Sequence, residues 1–264
     1  MGKLNFTKMA GAGNDFIVIS SEEKDFSSLA RKLCERKTGI GADGMLVIGR
    51  SKTADFRMQI FNADGSEAEM CGNGLRCAVL YNGKKEKIKV ETIAGIYEGE
   101  ITGKNRVMVK MEDPKDLKMG IPIEINSRKL KVNFINTGVP HTAIFVNGID
   151  RIDVDNIGRA VRSHEAFKPK GTNVDFVEII DDENIRIRTF ERGVEGETLA
   201  CGTGAVASAI IASHDSRIMN HEINVHTKGG TLKVAFEKKG SNIQNVYLDG
   251  EAKEIFTGQT NLHL

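Results

Sequence analysis

The 264-residue chain contains an internal repeat, and this repeat limits its possible folds more than any other feature. Residues 39–48 align with residues 171–180. The motif at residues 71–74 (Cys-Gly-Asn-Gly) aligns with the motif at residues 201–204 (Cys-Gly-Thr-Gly). Two more matches follow the same order at similar spacing: Val90-x-Thr92-x-x-Gly95 with Val225-x-Thr227-x-x-Gly230, and Gly11 with Gly138. The pattern predicts two homologous halves.

The boundary between the halves is predicted near residues 113–116, where Asp113-Pro114 is typical of a turn. Gly120 and Pro122 are further breakers just beyond it. We therefore expect an N-terminal lobe of residues 1–118, which can also include the C-terminal strand 253–264. The C-terminal lobe is expected to cover residues 119–252.

The hydrophobic pattern indicates many short strands and few helices. Strand-like runs occur at residues 16–19, 45–48, 57–61, 106–110, 143–146 and 185–190. Helical periodicity occurs at residues 26–36, 75–81 and 205–213. The last segment is apolar or small on every side, which is typical of a fully buried helix. The expected fold class is α+β, with two homologous lobes related by a pseudo-two-fold axis. In each lobe, a mixed β-sheet or barrel would wrap round a central helix.

Composition excludes several classes of protein. The formal net charge of +1 argues against a broad surface for nucleic acid. The longest apolar stretches are too short to span a membrane, and the first residues lack the apolar core of a signal peptide. The four cysteines, at positions 34, 71, 77 and 201, have no Cys-x-x-Cys spacing, which argues against structural zinc. We expect a cytoplasmic protein that needs no metal or other cofactor.

The paired Cys-Gly-x-Gly motifs indicate acid/base chemistry. Each cysteine precedes a predicted buried helix, where free N–H groups and the helix dipole lower a thiol pKa. The glycines let a substrate carboxylate approach those N–H groups closely. If the halves face each other, Cys71 and Cys201 would converge on one cleft, with a base on one side of a stereocentre and an acid on the other. Cys34 and Cys77 are interpreted as core residues.

These motifs also have other interpretations. Residues 39–44 fit the dinucleotide-binding pattern Gly-x-Gly-x-x-Gly, but a helix precedes them and a strand follows, the reverse of that motif's setting. Arg192 suits carboxylate capture but also fits a surface ion pair. His141 alone is more often a structural histidine. A non-catalytic small-molecule binder or a thiol redox module stays an alternative of a different class.

At these motifs the sequence resembles the diaminopimelate epimerase family. The matching segments cover the whole chain in order: Gly13-Asn14-Asp15-Phe16, Gly39-Ile40-Gly41-Ala42-Asp43, Asn62-Ala63-Asp64-Gly65-Ser66-Glu67, residues 71–77, Gly171-Thr172-Asn173-Val174, Glu191-Arg192-Gly193 and residues 200–205. The resemblance implies a cofactor-independent isomerase that interconverts LL- and meso-2,6-diaminopimelate in lysine and peptidoglycan precursor synthesis. It also implies two similar lobes that close over the substrate, and a homodimer.

The resemblance also implies a role for individual residues. Cys71 and Cys201 would be the acid/base pair, with His141 and Glu191 tuning the two thiols. The residues that would bind the substrate are Asn14, Asn62, Gly72, Asn73, Asn173, Glu191, Arg192, Gly202 and Thr203. Among these, Gly72-Asn73 and Gly202-Thr203 would offer their backbones to the reacting carboxylate. Asn62, Asn173 and Arg192 would hold the distal end, and Asn14 would help to line the site.

Two positions depart from the family pattern. Gly44 stands where some members carry a substrate-contacting Gln, and Val139 stands where many carry a substrate-binding Asn. The loss of one such hydrogen bond typically matters by about 1 kcal/mol. A related racemase without pyridoxal phosphate, acting on a shifted or wider set of amino acids, is therefore an alternative. A proline racemase fits less well, because Asn73 replaces the His of its motif and a ring substrate offers Arg192 no distal charge.

Overall fold

The computed structural model describes residues 3–21, 25–83, 86–125, 127–215, 217–218, 220–240 and 242–261. The chain forms two compact units. The first consists of Met1–Lys110 together with Asp249–Leu264, and the second consists of Met111–Leu248.

The first unit is built mainly of strands around one central helix. Its elements are β1 (Leu4–Gly11), β2 (Asn14–Ile19), α1 (Phe26–Cys34), β3 (Gly44–Gly49), β4 (Phe56–Asn62), β5 (Glu67–Ala68), α2 (Gly72–Asn82), β6 (Ile88–Thr92), β7 (Gly95–Gly103) and β8 (Arg106–Lys110). The C-terminal strand β18 (Lys253–Thr260) pairs with β1. Strands from several parts of this unit pack against α2, including β1, β7 and β8. A separate cluster of buried hydrophobic side chains, which includes Leu29 and Leu33, packs α1 against the sheet.

The second unit begins with an additional strand, β9 (Lys115–Ile125), and from the next strand onward repeats the order of strands and α-helices of the first. Its further elements are β10 (Arg128–Asn136), β11 (Pro140–Phe145), α3 (Val154–Arg162), β12 (Asn173–Ile179), β13 (Asn184–Glu191), β14 (Gly196–Thr198), α4 (Gly202–Ala212), β15 (Glu222–Thr227) and β16 (Gly230–Lys239). Strand β17 (Asn242–Glu251) begins in this unit and ends in the first. Strands β10 to β13, β15 and β16 pack against α4.

Strand pairing repeats between the units. In the first, β2 is parallel to β3, β3 is antiparallel to β4, β4 is parallel to β6, and β6 is antiparallel to β7. The second unit has the same alternation of parallel and antiparallel pairs, which joins β11 to β12, β12 to β13, β13 to β15 and β15 to β16. The predicted α+β class, with mixed sheets round a central helix in two similar lobes, is confirmed.

The central helices begin at the repeated cysteines. Cys71 and Cys201 are the N-cap residues of α2 and α4, and both have extended backbones there. Gly83 ends α2 in the left-handed conformation (φ 74°), and its N–H donates to the carbonyl of Leu80. Both helices begin three residues before the predicted starts. The prediction placed them late because the two glycines of each motif, which have low helix propensity, lie inside the first turn. Residues 204–212 of α4 are all buried, as predicted.

Candidate active site

The first cysteine motif places a thiol at the N-terminus of α2. Cys71 is half-buried, and its Sγ accepts a hydrogen bond from the backbone N–H of Gly74 at 3.5 Å. The same turn presents Gly72 and Asn73 at the positive end of the helix dipole. A thiolate or a carboxylate is therefore favoured at this end of the helix.

A chain of hydrogen bonds joins the polar residues beside this thiol. Asn14 Nδ2 donates to Asp43 Oδ2 at 3.0 Å, and Asn73 Nδ2 donates to Asn14 Oδ1 at 2.7 Å. Arg76 Nη2 then donates to Asn73 Oδ1 at 2.5 Å. Each amide is fixed in orientation because its oxygen accepts from one neighbour and its nitrogen donates to the next. The structure therefore brings Asn14 and Asn73 together. The carboxylate of Asp43 binds the first amide, and the guanidinium of Arg76 binds the second.

Asn62 lies at the end of β4. Its Nδ2 donates to Ser66 Oγ at 2.9 Å, within the turn that leads to β5. In the antiparallel register Asn62 is opposite Gly44, the first residue of β3. A Cβ on Gly44 would lie 2.9 Å from the carbonyl oxygen of Phe61, so this backbone has no room for the family's Gln without a shift.

The second cysteine motif has a different environment. Cys201 is buried at the start of α4, and its Sγ lies 3.4 Å from Thr203 Oγ1. Thr203 Oγ1 lies 2.9 Å from His141 Nε2, and His141 Nδ1 lies 2.8 Å from Asp175 Oδ2. Thr189 donates to the other oxygen of Asp175 at 2.8 Å. This arrangement links the thiol to a fully buried histidine–carboxylate pair through a single hydroxyl.

The charges around Cys201 favour its neutral form. Burial raises the pKa of the Cys201 thiol well above its ordinary value, and the carboxylates of Glu191 and Asp175 raise it further. The hydrogen bond with Thr203 opposes this shift only in part. The structure therefore places Glu191 and His141 beside the Cys201 thiol. Of these, the carboxylate of Glu191 contributes to the raised pKa of the thiol.

Asn173 and Arg192 are held together at the ends of β12 and β13. Asn173 Oδ1 accepts from the backbone N–H of Arg192 at 2.8 Å, and its Nδ2 donates to the carbonyl of Pro140 at 3.1 Å. The guanidinium of Arg192 donates to the carbonyl of Lys170 at 3.0 Å. Glu191 Oε1 accepts from Thr198 Oγ1 at 3.1 Å. Asn173 is also the register partner of His141 on the parallel strand β11, so both belong to one cluster.

Val139, the second departure from the family pattern, lies in the loop before β11. Its carbonyl accepts from the backbone N–H of Thr137 at 3.1 Å, and its side chain is half-buried. The loop therefore keeps a defined backbone without the Asn amide, but a valine side chain offers no hydrogen bond at this position.

Sequence reasoning missed three residues of these clusters: Asp43, Asp175 and Arg76. The repeat contained the signal for the two acids, because Asp43 and Asp175 occupy the same place in the aligned segments 39–48 and 171–180. The structure gives them matching partners. Asp43 binds Asn14 in the first unit, and Asp175 binds His141 in the second. Asn14 and His141 are themselves equivalent in the alignment that matches Gly11 with Gly138.

The remaining cysteines are core residues, as predicted. Cys34 and Cys77 are buried, and burial raises the pKa of each to about 12. Over the described ranges, no group of three or more His, Cys, Asp or Glu side chains is placed to hold a metal ion. Within those ranges there is also no helix with the length and apolar character needed to cross a membrane.

The difference between the cysteines predicts selective alkylation. We expect iodoacetamide near neutral pH to modify Cys71 at least about tenfold faster than Cys201, because a pKa raised by one unit already lowers the thiolate fraction about tenfold. The modification of Cys201 should accelerate only as the pH rises toward its raised pKa. Mass spectrometry of the cysteine peptides over time measures both rates, and equal rates at neutral pH would contradict the assignment.

Known proteins match the chain over nearly its whole length. The family model for diaminopimelate epimerase matches residues 6–117 and 133–255. The diaminopimelate epimerase of Caldanaerobacter subterraneus subsp. tengcongensis is 43% identical over 98% of this chain and 100% of its own. That of Methanocella arvoryzae is 44% identical, over 99% and 98%. Among solved structures, a PhzF-family phenazine biosynthesis protein from Bacillus anthracis has a TM-score of 0.75 at 18% identity, covering 99% of this chain and 100% of that one.

Proposed function

Because the chain belongs to the diaminopimelate epimerase family, we propose that it is the isomerase that interconverts LL- and meso-2,6-diaminopimelate. The observation that carries the proposal is the pair of cysteines at the N-termini of two central helices, at equivalent positions of the repeat. The reaction belongs to the synthesis of lysine and of peptidoglycan precursors.

The proposed mechanism uses one thiolate and one thiol. Cys71 as thiolate removes the α-proton from one face of the substrate, and Cys201 as thiol supplies a proton to the opposite face. The reverse reaction exchanges these roles. Both thiols must reach the same α-carbon, and both proton carriers are side chains, so the proposed reaction needs no cofactor.

The α-proton of an amino acid is weakly acidic, so the carbanion needs electrostatic stabilisation. We assign this role to the backbone N–H groups of Gly72-Asn73 and Gly202-Thr203, in the first turns of α2 and α4. These donors favour the extra negative charge that the carboxylate takes on as the proton leaves. Glu191 and His141, beside Cys201, are assigned the tuning of its proton affinity.

The distal end of the substrate is assigned to Asn62, Asn173 and Arg192, with Asn14 lining the site. The support for this assignment is that the Asn173 amide and the Arg192 backbone are fixed to each other. A guanidinium suits bidentate capture of a carboxylate, which diaminopimelate carries at its distal end and lysine does not.

Arg192→Ala should therefore weaken the binding of diaminopimelate more than it lowers turnover. We expect KM for diaminopimelate to rise about tenfold or more, because a hydrogen bond to a charged group contributes about 1.5–3 kcal/mol. α-Proton exchange of lysine, measured alongside, should change little. Initial rates with diaminopimelate and α-proton exchange of both compounds check this, and unchanged discrimination between diaminopimelate and lysine would refute the role of Arg192.

Location and assembly form part of the same proposal. We propose a cytoplasmic enzyme that does not bind nucleic acid, in keeping with the net charge of +1. We also propose a homodimer, for which Ile255 and Phe256 of β18 offer apolar surface, since their side chains are 49% and 47% exposed.

A further inference from the structure

Arg76 is a fully buried cation with unused hydrogen-bond donors. It lies in α2, five residues after Cys71, and none of its surface is exposed. Its Nη2 donates to Asn73, while Nε and Nη1 have no hydrogen-bond partner among the described residues. A buried guanidinium with unsatisfied donors is costly, so its presence in the core calls for a compensating anion.

One of the unused donors, Nη1, lies near the start of α2. Nη1 lies 4.0 Å from the position that a Cβ would take on Gly72, the residue directly after Cys71. The helix dipole and the Gly74 N–H already favour negative charge at this end. The guanidinium therefore adds its positive charge to the same small region.

Two groups near Arg76 can balance its charge, the carboxylate of Asp249 and the thiol of Cys71. The titratable groups that interact with it electrostatically are Cys77 on α2, Cys71 at the N-cap of that helix, Asp249 on β17 and Arg106 on β8. Asp249 forms an ion pair with Arg106 and accepts from Thr102 at 2.6 Å.

Cys77 stays neutral because burial raises its pKa to about 12. On the strands β1 and β2, which also pack against α2, Lys8 and Asp15 bind each other at 2.7 Å. Because Asp249 is shared with Arg106 and Thr102, the further negative charge that balances Arg76 is assigned to Cys71.

The second unit replaces this cation with an apolar side chain. The alignment of the two cysteine motifs makes Val206 the equivalent of Arg76, and Val206 lies in the buried core of α4. Cys201 instead lies near the carboxylates of Glu191 and Asp175. The two halves of the repeat therefore place opposite charges beside their cysteines.

On the basis of the proposed function, we propose that Arg76 is a positioning residue that holds Cys71 as the thiolate of the resting enzyme. Its charge stabilises that thiolate, and its hydrogen bond to Asn73 fixes the Asn73 and Asn14 amides. Cys201 carries the proton in the resting enzyme, which sets the initial roles of the two thiols.

The test is the pH dependence of Cys71 alkylation, followed peptide by peptide with iodoacetamide. In the native enzyme, the midpoint for Cys71 should lie below the ordinary thiol value of about 8.5. Arg76→Met should raise that midpoint by about one pH unit or more, because a nearby opposite charge shifts a pKa by about 1–3 units. Arg76→Lys keeps the charge and should leave the midpoint near the native value. It should lower kcat, because the planar guanidinium that orients the Asn73 amide is lost.

Two controls accompany these variants. Cys201, in the same samples, should keep its pH profile, and Arg57→Met, which removes an exposed cation from the same unit, should leave the Cys71 midpoint unchanged. A folded Arg76→Met protein with the native midpoint would overturn the proposal.

If Arg76→Met does not fold, a native midpoint at or above about 8.5 overturns the proposal on its own. Failure of the proposed function would be seen separately, as no α-proton exchange of diaminopimelate by the native enzyme.

Discussion

Replacing either Cys71 or Cys201 by alanine should abolish epimerisation. General acid or base catalysis by a positioned side chain contributes about 10²–10⁴-fold, and alanine has no proton to accept or donate. Each proton transfer is required in every turnover of a two-base reaction. Loss of one thiol should therefore lower kcat by about 10³-fold or more with either isomer as substrate.

The measurement is the conversion of pure LL-diaminopimelate into the meso isomer, and the reverse, followed by chiral chromatography. Cys34→Ala is the matched control, because Cys34 is also a buried thiol but belongs to the core around α1. It should lose some stability and keep its turnover number. Full two-way turnover by either Cys71→Ala or Cys201→Ala would refute the two-base assignment.

Gly204→Ala should damage the second cysteine cluster severely. A Cβ at this position would lie 2.5 Å from Asp175 Oδ1 and 3.3 Å from both Cys201 Cβ and His141 Cε1. Asp175 cannot withdraw freely, because it is fully buried between His141 and Thr189. We expect a loss of about 1–3 kcal/mol in the free energy of unfolding, as for other overpacked cores, and at least about a tenfold fall in kcat.

The matched control is Gly74→Ala, at the equivalent position of the first motif. There a Cβ would meet Leu46 Cδ2 at 3.1 Å, and that methyl group can move by a few tenths of an ångström. The smaller clash is offset in part by the higher helix propensity of alanine. Thermal unfolding and kcat should both change less in Gly74→Ala than in Gly204→Ala. Equal effects would show that contact with Asp175 is not what excludes a side chain at Gly204.

Much of this architecture could be predicted from the sequence because the repeat supplied two independent versions of each element. The predicted strand at residues 106–110 matches β8, and the apolar composition of residues 205–213 indicated a helix buried on every side. The start of α4 was predicted three residues too late, because Gly202 and Gly204 have low helix propensity.

The polar partners within each cluster were harder to predict. The link between His141 and Asp175 joins two strands whose residues lie 34 positions apart in the chain. Asp175 stands in an apolar run that is typical of a buried strand, and only its match with Asp43 distinguished it. Arg76 lies in the matched segment 71–77, but its burial could not be predicted, because it follows from the packing of strands round α2, which composition does not reveal.

α-Proton exchange in deuterated water, followed by NMR, tests whether this chain epimerises diaminopimelate. The panel consists of LL- and meso-diaminopimelate, lysine, glutamate, histidine and proline. We expect rapid exchange with both diaminopimelate isomers and little with the others. Exchange confined to other amino acids would keep the two-thiol mechanism but contradict the substrate, with Gly44 and Val139 the first positions to reconsider. No exchange with any member of the panel would contradict the assignment of this chain as an epimerase.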